Sequence, residues 1–310
     1  MNSRQFLTLF ILAAIWGGSF ILMRLISPET GASLAAFLRL FIGGVALISY
    51  LSLKKFPLRI RQFWKQYLIL GVINFSIPIF CYSFSALYIP AAYSAIINSM
   101  SPIFAMAISF VWLDSEITFL KAIGIVSGIF GVWFIVASKS EGANLISTHA
   151  IIGILSCLLA AFCYGLTAVY IQKQNGKIPS KGIASVGQIM GSLFLLPSLF
   201  LSNNITTIHI SSAQIVYILI LALFCSAIAY VLYFGLIEAI GGTKALSVTF
   251  LMPLFSCIWG RVFLGEHLTR SMLIGGAFIL IGTSCILMRN IQLPRLLQYL
   301  KTTRVSPTTP

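Results

Sequence analysis

The segments SPIFAMAISFVWLDSEIT at positions 101–118 and MPLFSCIWGRVFLGEHLT at positions 252–269 follow one pattern of proline, apolar residues, acid and threonine. A shift of 151 residues places Pro102 on Pro253. The same shift aligns Tyr82 with Tyr233, Phe104 with Phe255, Val111 with Val262, Leu113 with Leu264, Thr118 with Thr269, Ile123 with Ile274, Gly124 with Gly275 and Gly131 with Gly282. A single shift that holds over so many positions indicates an internal repeat.

The composition places most of the chain in lipid. Of the 310 residues, 59% are hydrophobic and 8% are charged, with a mean hydropathy of +1.00, which is too apolar for a water-soluble surface. Unpaired backbone amides are costly in hydrocarbon and long apolar runs lack the alternation of barrel strands, so each span is predicted to be a helix. Ten stretches reach the roughly 20 residues that a span needs: about 6–26, 32–53, 67–88, 91–113, 119–138, 149–171, 182–201, 213–236, 244–264 and 271–289.

These spans predict an all-α integral membrane protein with ten transmembrane helices in two inverted five-helix repeats. The first repeat covers residues 1–140, the second covers residues 141–290, and a basic cytoplasmic tail covers residues 291–310. Because five is odd, the second copy enters the membrane from the opposite face, and the two copies enclose a site near the midplane. Such a pair predicts alternating access. We expect the first span to stay in the protein, because it is too long for a secretory signal and lacks a cleavage site.

The net charge of +14 is concentrated in particular loops, so it indicates membrane topology rather than a nucleic-acid partner. If both termini lie on one side, that side also carries the loop at 54–65, whose basic residues outnumber those of the opposite loops. The positive-inside rule then places both termini in the cytoplasm, and the compact length suits a bacterial inner membrane. The basic tail at 291–310 has a second possible use, contact with anionic lipid.

The segments LAAIWGGSF at 12–20 and AAFLRL at 35–40, together with the two proline-to-acid segments, resemble the drug/metabolite transporter superfamily, and specifically its EamA-like ten-helix members. The resemblance covers residues 5–290 and implies transport of small metabolites or drugs without ATP hydrolysis, with no single substrate selected. The second copy keeps the family's Gly265-Glu266 pair. The first copy departs from it with Asp114-Ser115-Glu116, so the two acidic corners need not have equal roles.

Two polar stripes follow the helical period in the third and fourth spans and include Asn74 and Asn98. The second repeat supplies Tyr230 on the eighth span and Thr249 on the ninth. We interpret these residues as lining a substrate cavity. Hydrogen bonds between helices are the alternative role of such polar side chains.

Aromatic residues provide further candidates for substrate binding: Trp16, Tyr82, Tyr164 and Tyr233. Their rings can stack on a planar or cationic substrate and close the cavity at either end. Their alternative roles are packing inside the protein or a place in the aromatic belt at the membrane surface.

Arg39 lies about seven residues into its span, deeper than Arg24 and Arg261, which lie near span ends. A buried guanidinium is costly without a partner or water, so a functional role is the default interpretation. Arg39 is predicted to hold a carboxylate or phosphate of the substrate, or a fixed acid such as Glu29 or Glu266.

Pro102 and Pro253 occupy matching positions and are predicted to act as paired hinges, with fixed kinks as the alternative. Small residues on the fifth and tenth spans predict close helix contact, which we expect between the two repeats rather than between subunits. The oligomeric state stays open between monomer and homodimer. These small residues are Gly124, Gly128, Gly131, Gly275, Gly276 and Gly282.

Other function classes find little support. No Walker loop, GxSxG or HExxH motif is present, so we expect no enzyme activity, and neither a metal nor another cofactor is expected from the scattered cysteines and histidines. The six acids fall at span ends or in loops, which argues against a central proton relay and favours exchange or facilitated movement. The expected partners are a small-molecule substrate and membrane lipid. Export of drugs or amino acids competes with metabolite import, and a channel or membrane enzyme is the alternative from another class.

Overall fold

The computed structural model describes residues 2–114, 118–137, 147–174, 176–201, 210–240, 245 and 248–287. The predicted tail at 291–310, the boundary between residues 140 and 141, and the acids Glu116 and Glu141 lie outside the described residues.

The described chain is helical throughout its spans, as predicted. Seven helical segments are long and apolar enough to cross a membrane, and three shorter helices are also apolar. The ten helices are α1 Ser3–Thr30, α2 Ala32–Leu53, α3 Ile60–Ser85, α4 Ala91–Trp112, α5 Phe119–Ala137, α6 Thr148–Lys173, α7 Ser180–Leu201, α8 Ser212–Ile240, α9 Val248–Leu264 and α10 Arg270–Leu287.

Large apolar side chains cover the outside of the bundle. Leu53, Phe119 and Val111 are each at least 80% exposed, which in water would be a severe liability and in lipid is the expected surface. The interior combines alanines and aliphatic side chains with fully buried aromatic residues such as Tyr67, Phe75 and Tyr93, and buried serines lie between them. The protein is therefore an all-α integral membrane protein.

Local sequence signals set several helix ends. Asn2 and Gln5 form a capping box at the start of α1, and Ser211 and Gln214 form a second one at the start of α8. Ser147 caps α6 by accepting a hydrogen bond from the backbone N–H of Ala150 at 3.2 Å. These caps satisfy backbone donors that a helix start leaves unpaired.

Two helices contain a π-helical turn at nearly equivalent places. One covers Gly71–Ser76 in α3, and the other covers Leu223–Ile228 in α8. In α3 the turn directly precedes Pro78, which lacks an N–H to donate to the preceding turn. Such wide turns are often found at functional sites.

The helices of the two halves pack on each other in a symmetric way. Helix α1 packs on α9 as α6 packs on α4, and α2 packs on α7 while α5 packs on α10. Exchange of the two halves leaves this list of neighbours unchanged. The core is therefore shared between the halves.

Glycines set the closest approaches between the halves. A Cβ on Gly17 of α1 would lie 2.8 Å from the Met252 carbonyl of α9, and a Cβ on Gly165 of α6 would lie 2.7 Å from the Ala105 amide of α4. A Cβ on Gly131 would lie 2.6 Å from the Gly275 carbonyl. The predicted contact between α5 and α10 is confirmed, and it is internal to the chain.

Candidate functional site

Arg39 is the buried charge around which the candidate site is built. It is 7% exposed on α2. Its Nε donates to Ser226 Oγ at 3.2 Å, and its Nη1 donates to Met23 Sδ at 3.4 Å. It also interacts electrostatically with Tyr164 and Tyr230. Helices α1, α2, α6 and α8 therefore all contribute to its surroundings, and they come from both halves of the chain.

Gly43 explains how α8 comes close enough for this contact. It lies one turn after Arg39, on the same face of α2. A Cβ at Gly43 would lie 2.8 Å from Ser226 Cβ and 3.0 Å from the Ala222 carbonyl. The missing side chain thus lets the serine reach the guanidinium.

An aromatic group packs beside Arg39 on the α1 and α8 side. The ring of Trp16 lies 5.8 Å from that of Tyr230 and 5.2 Å from that of Tyr233, between centroids. Phe75, in the π turn of α3, packs edge-on against Tyr230 at 5.8 Å. The Trp16 indole N–H donates to the Cys225 carbonyl at 3.1 Å, which fixes the ring orientation.

A second aromatic group packs on the α3 and α6 side. Tyr82 and Tyr164 stack with centroids 6.2 Å apart, and Phe20 meets Tyr82 edge-on at 5.3 Å. The Tyr82 hydroxyl donates to Asn98 Oδ1 at 2.8 Å. Because Tyr82 and Asn98 are both nearly fully buried, their hydrogen bond fastens α3 to α4.

The structure thus brings together six of the predicted site residues, which form the central cluster: Trp16, Arg39, Tyr82, Tyr164, Tyr230 and Tyr233. Asn98 joins this cluster through Tyr82. Asn74 lies half-buried in the π turn of α3, next to Phe75.

The backbone carbonyl of Thr249 lies at a contact between α9 and α4, and the role of Thr249 in substrate binding stays a prediction. Pro253 has no N–H, so it cannot donate to the Thr249 carbonyl one turn earlier in the helix. Ser99 Oγ of α4 donates to that carbonyl at 3.3 Å. The interaction therefore ties α9 to α4.

Pro102 and Pro253 differ in their local structure. Helix α4 is interrupted between its segments Ala91–Asn98 and Ser101–Trp112, and Pro102 lies in the first turn of the second segment. Pro253 lies within the continuous helix Val248–Leu264. The hinge role of both residues stays a prediction.

The proposed pairing of Arg39 with a fixed acid was wrong for both acids named. Glu29 accepts a hydrogen bond from the side-chain amide of Gln214. Glu266 Oε1 accepts from the backbone N–H of Ala91 at 2.9 Å. Glu266 caps the start of α4, where the helix dipole favours negative charge, whereas Glu29 binds a side chain in the first turn of α8. Neither acid contacts Arg39.

The other two arginines lie away from the cluster. Arg24 is part-buried, and its Nη1 donates to the Ala86 carbonyl at the end of α3. Arg261 is exposed and pairs with His267 Nδ1 at 3.1 Å. Arg24 thus links two helices of the first half, whereas Arg261 stays at the surface.

Several cluster residues were absent from the predicted site. Met23 and Phe20 lie seven and four residues after Trp16, so all three share one face of α1. Their helical spacing was the signal that could have identified them. Ser226 lies one turn before the predicted Tyr230 on α8, but only the fold shows that it is the partner of Arg39.

An apolar groove of about 380 Å³ lies between α4 and α6, outside this cluster. It contains Val111, which is 80% exposed, and its lining supplies almost no polar surface, so it belongs to the lipid-facing side. Its lining residues are Phe104, Ala107, Ile108, Val111, Trp112 and Phe162.

The comparisons with known proteins agree with this architecture. The chain is 28% identical to the uncharacterized transporter YvbV of Bacillus subtilis over 92% of both chains, and 22% identical to protein PecM of Dickeya dadantii over 92% of both. A crystal structure of 17% identity superposes with a TM-score of 0.64, covering 96% of this chain and 100% of the other, which shows the shared fold.

The sequence profile of one family matches each half of the chain separately, at residues 4–137 and 151–288. The first match covers helices α1 to α5 and the second covers helices α6 to α10, which are the two sets related by the symmetric packing described above. This membrane protein, with its shared central cluster, therefore belongs to the EamA-like transporter family.

Proposed function

We propose that this transporter is a secondary carrier that moves a small metabolite or drug-like molecule by alternating access, without ATP hydrolysis. The observation that carries this proposal is the central cluster, in which Arg39 of the first half contacts Ser226 of the second at 3.2 Å. A site built from both halves changes its access when one half moves against the other.

The glycine crossings suggest where that movement is guided. Trp16 precedes Gly17, where α1 touches α9, and Tyr164 precedes Gly165, where α6 touches α4. Each aromatic ring is therefore anchored beside a tight contact of its own helix with the opposite half. Rotation at either crossing would move the ring at the substrate.

The described contacts support exchange or facilitated movement rather than proton coupling through the cluster. Of the chain's acids, Glu29, Asp114 and Glu266 have described side chains, and none of these three contacts Arg39. Proton-driven carriers commonly use an Asp, Glu or His within the membrane for coupling, and none of these three acids lies at the cluster. We also propose that both termini face the cytoplasm of a bacterial cell, because the basic loops share that side.

Flux measurements in proteoliposomes test this proposal. Purified protein is reconstituted, and uptake of labelled metabolites found by a thermal-shift screen is followed with and without unlabelled substrate inside. A carrier gives saturable uptake that internal substrate accelerates. Uptake that rises linearly with concentration would indicate a channel. If none of the compounds found by thermal shift crosses the membrane, the proposed transport mechanism is wrong.

A further inference from the structure

We propose that the central cluster binds an organic anion, namely a carboxylate or phosphate group joined to a planar apolar body. This assignment rests on the proposed carrier function and specifies its substrate class. It follows from the charge balance around Arg39 and from the rings beside it.

Arg39 is a buried charge with weak local compensation. A guanidinium carries five N–H donors in a planar fork. Among the described residues its hydrogen bonds go to a serine hydroxyl and a methionine thioether. Neither acceptor is charged, so the positive charge lacks the counter-ion that a buried ion needs to offset its desolvation.

The acids with described side chains are placed elsewhere. Glu29 is bound to Gln214 and Glu266 to the α4 start, while Asp114 follows the last turn of α4. The backbone of Glu238 lies twelve residues beyond Ser226 in α8, roughly 18 Å along a helix. An anionic ligand is therefore the simplest source of the missing charge.

The surrounding rings define the rest of the ligand. Tyr164 and Tyr230 lie within electrostatic range of the guanidinium, and Trp16 and Tyr233 continue the aromatic surface. Planar apolar groups pack well against such faces, and the arginine fork matches the oxygens of a carboxylate or phosphate. A cationic substrate, which aromatic rings alone would also accept, is disfavoured by the charge of Arg39.

Matched small probes test this inference on the purified full-length protein. Phenylacetate and phenyl phosphate supply the anion and the ring, phenylacetamide keeps the shape without the charge, and phenethylamine reverses the charge. We expect both anions to raise the thermal unfolding temperature of the wild type and the amide and amine to leave it unchanged. Equal stabilisation by the amide, or none by either anion, would overturn the proposal.

Variants of Arg39 show whether the anion binds at this site. Arg39→Gln should weaken anion binding roughly tenfold to a hundredfold, since it removes charge-assisted hydrogen bonds, and Arg39→Lys should retain part of the binding. The exposed Arg261→Gln is the matched control and should bind as the wild type does. Retention of full anion binding by Arg39→Gln contradicts the assignment.

The stability of the unliganded variant separates a binding role from a structural one. Arg39→Gln removes an uncompensated buried charge, so its unfolding temperature should equal or exceed that of the wild type. A large loss of stability would mean that the arginine is held by the fold and is not available to a ligand. Ser226→Ala keeps the charge and should preserve the preference for anions with weaker binding.

Flux distinguishes this inference from the proposed function. Saturable transport of neutral or cationic compounds that is insensitive to Arg39→Gln would overturn the anion class and leave the carrier intact. Anion binding that never leads to flux would overturn the carrier mechanism and leave the anion site.

Discussion

Glu266, two residues after the end of α9, accepts a hydrogen bond through its Oε1 from the backbone N–H of Ala91, the first residue of α4, at 2.9 Å. The contact joins the second half of the chain to the first. The other carboxylate oxygen of Glu266, Oε2, is buried and has no hydrogen-bond partner among the described residues. We therefore expect this side chain to stabilise the protein mainly through the hydrogen bond that caps α4.

Removal of that cap should destabilise the protein. Glu266→Ala leaves the first amide of α4 unpaired, and caps of this kind contribute about 0.5 to 2 kcal/mol. Glu266→Gln keeps an acceptor oxygen and loses only the charge, so its loss should be smaller. Thermal unfolding of the two variants measures the difference, and equal losses would show that the hydrogen bond itself contributes nothing.

The contact between α5 and α10 should tolerate no side chain. Gly131→Ala places a Cβ 2.6 Å from the Gly275 carbonyl, a clash that only separation of the helices relieves, so we expect a lower unfolding temperature and less folded protein. Gly235→Ala in α8 is the control, because a Cβ there meets nothing within 4 Å. A Gly131→Ala protein as stable as Gly235→Ala would contradict the described packing.

Trp16 and Trp259 make equivalent hydrogen bonds, so their variants form a matched pair for testing the role of Trp16 in transport. Trp16 donates its indole N–H to the Cys225 carbonyl and Trp259 donates its own to the Ala14 carbonyl, each at 3.1 Å. Replacement of either by Phe removes one such bond, which costs about 1 kcal/mol. Only Trp16→Phe alters the central cluster, so flux should fall in that variant and stay near the wild-type rate in Trp259→Phe. Similar flux in both would separate Trp16 from the transport path.

The hydrogen bond between Tyr82 and Asn98 should appear as a coupling energy. Tyr82→Phe leaves the buried Asn98 amide without its donor, at a cost of about 1 to 3 kcal/mol. In the double variant Tyr82→Phe with Asn98→Leu both polar groups are gone, so part of the loss should be recovered. Unfolding temperatures of the single and double variants complete the cycle, and strict additivity would rule out the bond.

Pro253→Ala tests the predicted hinge. The new N–H competes with Ser99 for the Thr249 carbonyl, to which Ser99 Oγ now donates at 3.3 Å. We expect a more stable protein with slower flux, because the continuous helix resists bending. Ser99→Ala removes the same contact with the proline retained and serves as the control. Unchanged flux in Pro253→Ala would indicate a fixed kink.

The sequence predicted the helices well, because lipid requires each span to be apolar and helical, and the repeat was visible as one constant shift of 151 residues. A span must be apolar and helical, so the predicted stretch at 32–53 coincides with Ala32–Leu53. Repeated segments also have to pack alike, and the glycines of α5 and α10 meet as their spacing indicated. These features depend on the composition of each span and on the spacing of residues along it, and both can be read directly from one sequence.

The partners of buried polar groups could not be predicted in the same way. Arg39 was identified as deep in its span, yet its bond to Ser226 crosses 187 positions of sequence and depends on the absence of a side chain at Gly43. Glu29 and Glu266 were named as partners because acids are scarce, but Glu29 binds the Gln214 side chain and Glu266 binds the backbone N–H of Ala91. Spacing along one helix carries no information about which face another helix presents.

The seam of glycines between α5 and α10 has a consequence during biosynthesis. Residues 119–137 leave the ribosome long before residues 270–287. The glycine-lined face of α5 must therefore contact lipid or another membrane protein until α10 has been synthesised. The first half alone therefore exposes a helix face that lacks its partner and can associate with other helices. Truncated chains that end before α10 should therefore be strong targets for membrane quality control.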